Sequence, residues 1–182
     1  MPDRHPVTRY SDLSIALHWL MLGLIALTYA FTELRVLFER GTPERDFMRQ
    51  AHFSCGLTVL GLALVRLVAR WFGGTPAIHP PLPAWQRRAA RLSHALLYAF
   101  MIGMPLLALA MMGLRGDEVI FFGIELPPLL AEDKDLGKQL RGWHGDIGRA
   151  VYALIALHAA AAIYHHRIRG DDTLRHMLPG RP

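Results

Sequence analysis

Histidines in apolar surroundings are the residues of this chain whose type and spacing suit metal chemistry. His144 and His158 belong to one mostly apolar stretch and are fourteen residues apart. At ~100° per residue, a helix returns both imidazoles to nearly the same face, roughly 21 Å apart along its axis. That separation places them near the two edges of a ~30 Å hydrocarbon layer. One helix would then offer two imidazoles at two depths; the alternative is that both rings only face headgroups or water.

Two further histidines, His18 and His52, stand near the starts of two other apolar runs. Low-spin haem iron that transfers electrons takes two axial side chains, and neutral imidazole suits it. Such a site needs two helices that present one ligand each at the same height. In a chain that crosses the membrane four times, His18 shares its depth with His158, and His52 shares its depth with His144. The pattern therefore predicts two haem groups, each held by one of these pairs.

Four apolar runs must position these ligands, and they cover residues 13–31, 51–70, 92–114 and 146–167. Each is long enough to cross a membrane. Ser11 and Asp12 precede the first run as helix caps, and Pro105 predicts a kink in the third. The long loop over 115–142 contains the segment FFGIELPPLL, which is expected to pack on the bundle or lie in the interface. Together the runs predict an all-α, integral membrane four-helix bundle that forms a single unit over residues 1–182.

The arginines indicate the orientation of the bundle. One end carries the N-terminus, the 66–91 connector and the C-terminal tail, with Arg4, Arg9, Arg66, Arg70, Arg87, Arg88, Arg91, Arg167, Arg169, Arg175 and Arg181. The positive-inside rule then predicts that both termini are cytoplasmic. This topology explains the excess of basic residues behind the net charge of +5. Because the arginines flank apolar runs and form no stripe with interleaved aromatic residues, no nucleic-acid partner is expected.

The single cysteine and the remaining histidines limit which kinds of metal site the chain can form. Cys55 is the only cysteine, which excludes an internal disulfide, a thiolate-ligated iron–sulfur cluster and a covalent CxxCH haem attachment. Any haem is therefore held non-covalently. His94, at the start of the third run, competes with His18 as partner of His158. We favour His18 because it lies deeper in its run, and we expect His79 and His176 to be solvated.

Several segments, in order, resemble the bacterial cytochrome b561 family. They are IALHW around His18, AHFSCG around His52, WHGDIG around His144, LHAAAAIYHH around His158, and the terminal DDTLRHMLP. The nearest branch is the small four-helix di-haem type that includes superoxide:ubiquinone oxidoreductases. The resemblance covers nearly the whole chain, including a tail that holds none of the four ligands.

The resemblance implies a multi-pass protein of the bacterial inner membrane with two haem b groups. It assigns His18 and His158 to the cytoplasmic-side haem and His52 and His144 to the periplasmic-side haem. It implies electron transfer from superoxide, at the periplasmic face, to ubiquinone at a site toward the cytoplasm. His165 matches the first histidine of the family's HH pair and is the expected quinone contact, with His94 as a second candidate. The 73–83 connector departs from the lysine-bearing pattern of the family.

Two other functions remain open at this point. A haem subunit that carries electrons between quinone and a dehydrogenase or hydrogenase partner would use the same four histidines and need an exposed docking surface. A non-redox transporter or anchor would carry no chromophore. For the superoxide function, a positive outer mouth is expected to steer the anion. Its candidate residues are Arg35, Arg40, Arg45, Arg49, Lys138, Arg141 and Arg149.

Overall fold

Four long helices form the protein. The computed structural model describes residues 9–127 and 129–180, so Arg4 and Arg181 of the charge argument lie outside it. The helices are α1 (Asp12–Leu34), α2 (Pro43–Gly73), α3 (Ala84–Arg115) and α4 (Lys134–Tyr164). Each of the four is long and apolar enough to cross a membrane. The expected four-helix membrane bundle is therefore confirmed, while the orientation of its termini stays a prediction.

Side-chain caps mark the starts of α1, α2 and α4, and three helices, α2, α3 and α4, begin well before their apolar runs. The side chain of Ser11 accepts a hydrogen bond from the Ser14 amide, as expected for the start of α1. Thr42 caps α2 in the same way, with Pro43 at its first turn, and Asp133 caps α4. Because these two caps lie in charged segments, α2 and α4 extend past the apolar runs as charged helical turns. α3 continues through Pro105 and ends at Gly116, whose φ is +69°.

The long loop between α3 and α4 forms a small antiparallel hairpin that the sequence did not predict. Its strands are β1 (Val119–Phe121) and β2 (Ile124–Leu126), with Val119 opposite Leu126. Val119 is buried in one cluster with Phe53 of α2 and Ala108 of α3. The amide of Phe122 donates a hydrogen bond to the hydroxyl of Ser54, 3.2 Å away. The FFGIEL segment thus packs on the bundle, as expected.

The C-terminal tail folds back over the opposite end of the bundle. α4 runs into a wide π turn (His165–Arg169), which ends at Gly170 with φ +72°. A short 3₁₀ turn (Arg175–Met177) follows. The indole nitrogen of Trp19 donates a hydrogen bond to the carbonyl of Met177 over 2.7 Å. This contact ties the tail to α1 near the depth of His18.

Candidate functional site

The first imidazole pair lies at the end of the bundle that also carries the hairpin. His52 projects from α2 and His144 from α4, with ring centroids 6.2 Å apart and ring planes inclined by 77°. The Nδ1 atom of His52 lies 2.8 Å from the carbonyl oxygen of Thr28 and 2.6 Å from the hydroxyl of Thr32. A carbonyl oxygen only accepts, so Nδ1 of His52 carries the proton and Nε2 keeps its lone pair. α1 therefore orients a ring that belongs to α2, as the outer partners of metal-bound histidines do.

The second pair lies at the other end of the same helix. His18 of α1 and His158 of α4 have ring centroids 6.4 Å apart and planes inclined by 67°. His94 of α3 lies closer to His158, at 5.6 Å. Nη1 of Arg66 on α2 lies 2.9 Å from Nδ1 of His18. Three imidazoles and the guanidinium of Arg66 thus lie close together at the inner end of the bundle.

The spacing of both pairs fits axial ligation of one iron atom between two rings. A metal–imidazole bond of about 2.0–2.1 Å, added to the roughly 1.1 Å from ring nitrogen to ring centroid, puts two opposed centroids about 6.2 Å apart. The pairs measure 6.2 and 6.4 Å, whereas the contact between His94 and His158 is shorter at 5.6 Å. The separation therefore favours His18 over His94 as the partner of His158.

The number of protein ligands indicates the kind of metal group that fits. Residues 9–127 and 129–180 hold no cluster of three or more His, Cys, Asp or Glu side chains that suits a bare ion. A pair of imidazoles leaves the remaining coordination positions to the group that brings the metal. Haem iron, with four porphyrin nitrogens and two axial positions, matches that requirement. The Nδ1 atom of His144 is buried without a hydrogen-bond partner in the described structure.

His165, the expected quinone contact, belongs to a separate polar cluster beyond the inner pair. Its Nδ1 lies 2.6 Å from Oδ2 of Asp171, a residue only 2% exposed. The same carboxylate oxygen pairs with Nε of Arg169 at 3.0 Å, and Oδ1 accepts from the Thr173 amide at 3.1 Å. Burial by itself would raise the pKa of Asp171, but the hydrogen bonds from Thr173 and His165 outweigh it and lower that pKa. A charged Asp171 therefore accepts the Nδ1 proton of His165.

This cluster also joins the tail to the connector between α2 and α3. Arg169 donates to the side-chain oxygen of Gln86 at 3.0 Å and to the carbonyl of Pro81 at 2.9 Å. Asp172 accepts from the His79 amide at 2.9 Å and pairs with His176 at 3.4 Å. The expectation of a solvated His176 was wrong, because its side chain is only 12% exposed in this contact. The His79 side chain is exposed, as expected.

Asp171 is the residue of this cluster that sequence reasoning missed. An aspartate in a polar tail is ordinarily solvated, and only its place within the DDTLRHMLP motif singled out the segment. The sequence could not show that Gly170 turns the chain so that the carboxylate meets His165 and Arg169.

The outer end of the bundle opens into a pocket lined by arginines, which we call the arginine pocket. Its volume is about 360 Å³, and its lining is Arg35, Arg40, Gly41, Arg45, Asp46, Arg49 and Arg141. Five of the seven cations expected at a positive mouth therefore meet here. Of the other two, Arg149 forms an ion pair with Asp146 one turn along α4, and Lys138 is not part of the lining.

Comparison with known proteins finds relatives that match nearly the whole chain. A family model described as prokaryotic cytochrome b561 matches residues 9–180. The chain is 37% identical over 175 residues to cytochrome b561 homolog 1 of Escherichia coli (strain K12), covering 96% of this chain and 99% of that protein. It is 33% identical over 171 residues to probable superoxide oxidase CybB of Yersinia pestis, with 94% and 96% covered. Cytochrome b562 of Cereibacter sphaeroides is 30% identical over 184 residues, with 94% and 96% covered.

Proposed function

The chain belongs to the prokaryotic cytochrome b561 family, and from that premise we propose that it oxidises superoxide at one face and reduces ubiquinone near the other. Membership makes it a multi-pass protein of the bacterial inner membrane that binds haem b and transfers electrons. Two haem groups per chain, superoxide as donor and ubiquinone as acceptor are our proposal. So is the orientation that places the arginine pocket in the periplasm.

We propose that His52 and His144 would hold an outer haem and that His18 and His158 would hold an inner one. When bound, haem b supplies a reversible one-electron couple. The chain supplies the ring nitrogens and their orientation. Thr28 and Thr32 hold His52 so that Nε2 is the nitrogen left for a metal. The spacing of each pair and the absence of a larger ligand cluster in the described ranges support the assignment.

The arginine pocket is the observation that carries superoxide as the donor. Five guanidinium groups surround one cavity, and Asp46 is the single carboxylate in its lining. The pocket is formed by the connector between α1 and α2 and by the first turns of α2 and α4, at the end of the bundle that holds His52 and His144. A positive cleft raises the local concentration of an anionic substrate and its rate of encounter. A relative 33% identical to this chain bears the name probable superoxide oxidase, which agrees with this donor.

The cluster around His165 supports a quinone site at the inner end. Two superoxide ions release two electrons and become two O₂ molecules, and ubiquinone takes up these electrons with two protons to form ubiquinol. The protons must come from groups close to the quinone oxygens. Asp171 holds His165 through Nδ1, which leaves Nε2 as its one uncommitted ring nitrogen. We propose His165 as the quinone contact and His94 as a second residue near that site.

The hairpin favours one other function specifically, that of a haem subunit docked to a dehydrogenase or hydrogenase. Phe122 and Ile124 at its tip are 68% and 65% exposed. Exposed apolar residues of this kind contact either the membrane interface or a protein partner. A docked partner would deliver electrons at the end where the arginine pocket lies. Co-purification of a second subunit with the native protein would support this function.

Rapid mixing of the oxidised, haem-loaded protein with superoxide tests the proposed function. We expect a b-type spectrum equivalent to two haem groups per chain. It should show reduction on mixing with superoxide and reoxidation when a soluble ubiquinone analogue is added. A spectrum that ignores superoxide but responds to quinol would contradict the donor and favour the partner-subunit function. A single haem per chain would contradict the assignment of two ligand pairs.

A further inference from the structure

The arginine pocket is much larger than the anion of the proposed reaction. Its volume is about 360 Å³. Superoxide is a diatomic ion comparable in size to a water molecule, whose share of liquid volume is roughly 30 Å³. A cavity of this volume also admits an anion larger than superoxide. Steering of superoxide explains the charge of this surface but not its concavity.

The charge of the lining exceeds what its own carboxylate neutralises. Five arginines face one aspartate, and Asp46 makes only a long, exposed contact of 3.8 Å with Arg49. Nη1 of Arg45 donates hydrogen bonds to the carbonyl oxygens of Phe38 and Arg35, at 2.6 and 3.4 Å. The buried Nε of Arg35 has no hydrogen-bond partner in the described ranges. Arg49 and Arg141 thus keep guanidinium donors for an anion.

The location of the pocket points to the chemistry of that anion. α1 ends at Leu34 and α2 begins at Pro43, so the lining from Arg35 to Arg49 lies at the headgroup level of one leaflet. With both termini in the cytoplasm, this is the periplasmic leaflet, where the positive-inside rule does not explain an excess of basic residues. Phosphate esters are the abundant anions of this layer, and the guanidinium fork matches phosphate geometry in a bidentate manner.

We propose that the arginine pocket binds a phosphate group, carried either by an anionic lipid headgroup or by a soluble phosphate. The bound phosphate neutralises the charge that would attract superoxide, so it competes with that substrate. Binding itself goes beyond the proposed function, because it needs no electron transfer. Only the competition rests on superoxide being the donor.

Equilibrium binding to the haem-loaded protein in detergent tests the proposal. The probes are inorganic phosphate and short-chain phosphatidylglycerol, with short-chain phosphatidylcholine as a neutral control. We expect saturable binding of phosphate and phosphatidylglycerol to one site, weakened about tenfold by Arg49→Gln and by Arg141→Gln. Arg88→Gln, an exposed arginine at the start of α3, should leave binding unchanged. An unaltered haem spectrum shows that each variant is folded.

The two probes separate the sources of the phosphate. Tighter binding of phosphatidylglycerol identifies a lipid site, whereas equal or tighter binding of inorganic phosphate identifies a soluble ligand. Binding that survives in the Arg49→Gln, Arg141→Gln double variant would overturn the proposal. So would an absence of binding to the haem-loaded protein, as expected if haem carboxylates already fill the pocket.

A second measurement examines the competition. If superoxide is the donor, its consumption by the wild type should slow more with phosphate than with chloride at equal ionic strength. The double variant should lose that difference. Equal slowing by both salts in the wild type would contradict the competition. Should the protein ignore superoxide altogether, the binding experiment still decides whether the pocket is a phosphate site.

Discussion

Nη1 of Arg66 lies 2.9 Å from Nδ1 of His18, whereas Nδ1 of His52 faces the carbonyl oxygen of Thr28 at 2.8 Å. Arg66 has no carboxylate partner within the described ranges, and its positive charge stands beside the inner pair. A nearby cation favours the state with one more electron. A donated Nδ1 proton, as at His52, makes an imidazole a more basic ligand and has the opposite effect. We therefore expect the inner haem to have the higher potential.

Replacing Arg66 tests this relationship. Arg66→Gln keeps a polar side chain beside His18 but removes the charge. We expect the inner midpoint potential to fall by an amount equivalent to about 1–2 kcal/mol, or ~40–90 mV for a one-electron couple. Spectroelectrochemical titration resolves both midpoints. Arg88→Gln, at the exposed start of α3, is the matched control, and an unchanged inner midpoint in Arg66→Gln would remove Arg66 from this role.

The hydroxyl of Thr32 offers a complementary test at the outer site. Thr32→Val removes one acceptor from Nδ1 of His52 but leaves the carbonyl of Thr28 in place. The ring keeps its position and becomes a less basic ligand, so the outer potential should rise by about 20–50 mV, with haem retained. Thr58→Val is the control, because its hydroxyl bonds only to the Ser54 carbonyl within α2. A fall in the outer potential would contradict the tautomer deduced for His52.

Single histidine variants test the two ligand pairs. His52→Ala or His144→Ala should remove the outer haem and leave part of the inner one, while His18→Ala or His158→Ala should do the reverse. Pyridine haemochrome assay gives the haem content per chain. His94→Ala should keep both haem groups, because its ring lies too close to His158 to share an iron. Loss of one haem in His94→Ala, with both kept in His18→Ala, would show that the pairing is wrong.

Arg141 and Arg149 form a matched pair for the steering argument. Arg141 lines the arginine pocket, whereas Arg149 lies on the next turns of α4 in an ion pair with Asp146. Arg141→Glu should lower the rate of superoxide oxidation about three- to tenfold at low ionic strength and flatten its salt dependence. Arg149→Glu should have a much smaller effect. Stopped-flow measurements over a series of salt concentrations give the rates of both variants. Equal effects of the two substitutions would show that the arginine pocket does not steer superoxide.

Asp171 should stabilise the tail in a pH-dependent way. Its pKa lies below the ordinary 3.8, so its contribution is complete above that value and is lost as the pH falls through the folded pKa. At neutral pH, Asp171→Asn should cost about 2–4 kcal/mol of unfolding free energy and make the tail more susceptible to cleavage by trypsin after Arg175. The difference from the wild type should shrink below pH 3.8. Asp12→Asn, at a side chain 90% exposed, is the control, and equal trypsin resistance would show that Asp171 does not secure the tail.

The apolar runs and the histidine spacing were sufficient to predict the bundle and the grouping of its imidazoles. Hydrophobic length fixes which segments cross, and the helix repeat fixes that His144 and His158 leave one face. Helix ends were harder to predict. α4 begins at Lys134 because Asp133 caps it. A hydropathy pattern cannot reveal this start, because the cap and the first turns of the helix are polar.

Contacts between distant segments could not be read from the sequence. The pairing of Val119 with Leu126 depends on a surface provided by Phe53 and Ala108. The burial of Asp171 depends on Arg169, which donates to Pro81 in the connector between α2 and α3 and to Gln86 in the first turn of α3, more than eighty residues earlier in the chain. Each is a tertiary contact, and local propensity carries no information about it.

Because α4 carries both His144 and His158, one unbroken rod fixes the distance between the two proposed haem sites. Loops at either face can lengthen, shorten or change charge without altering that distance. A change of electron donor or acceptor at either surface would thus leave the distance between the two sites unaltered. An insertion of one residue within α4 between the two histidines would have a different result, since it would turn one ligand by about 100° away from its partner.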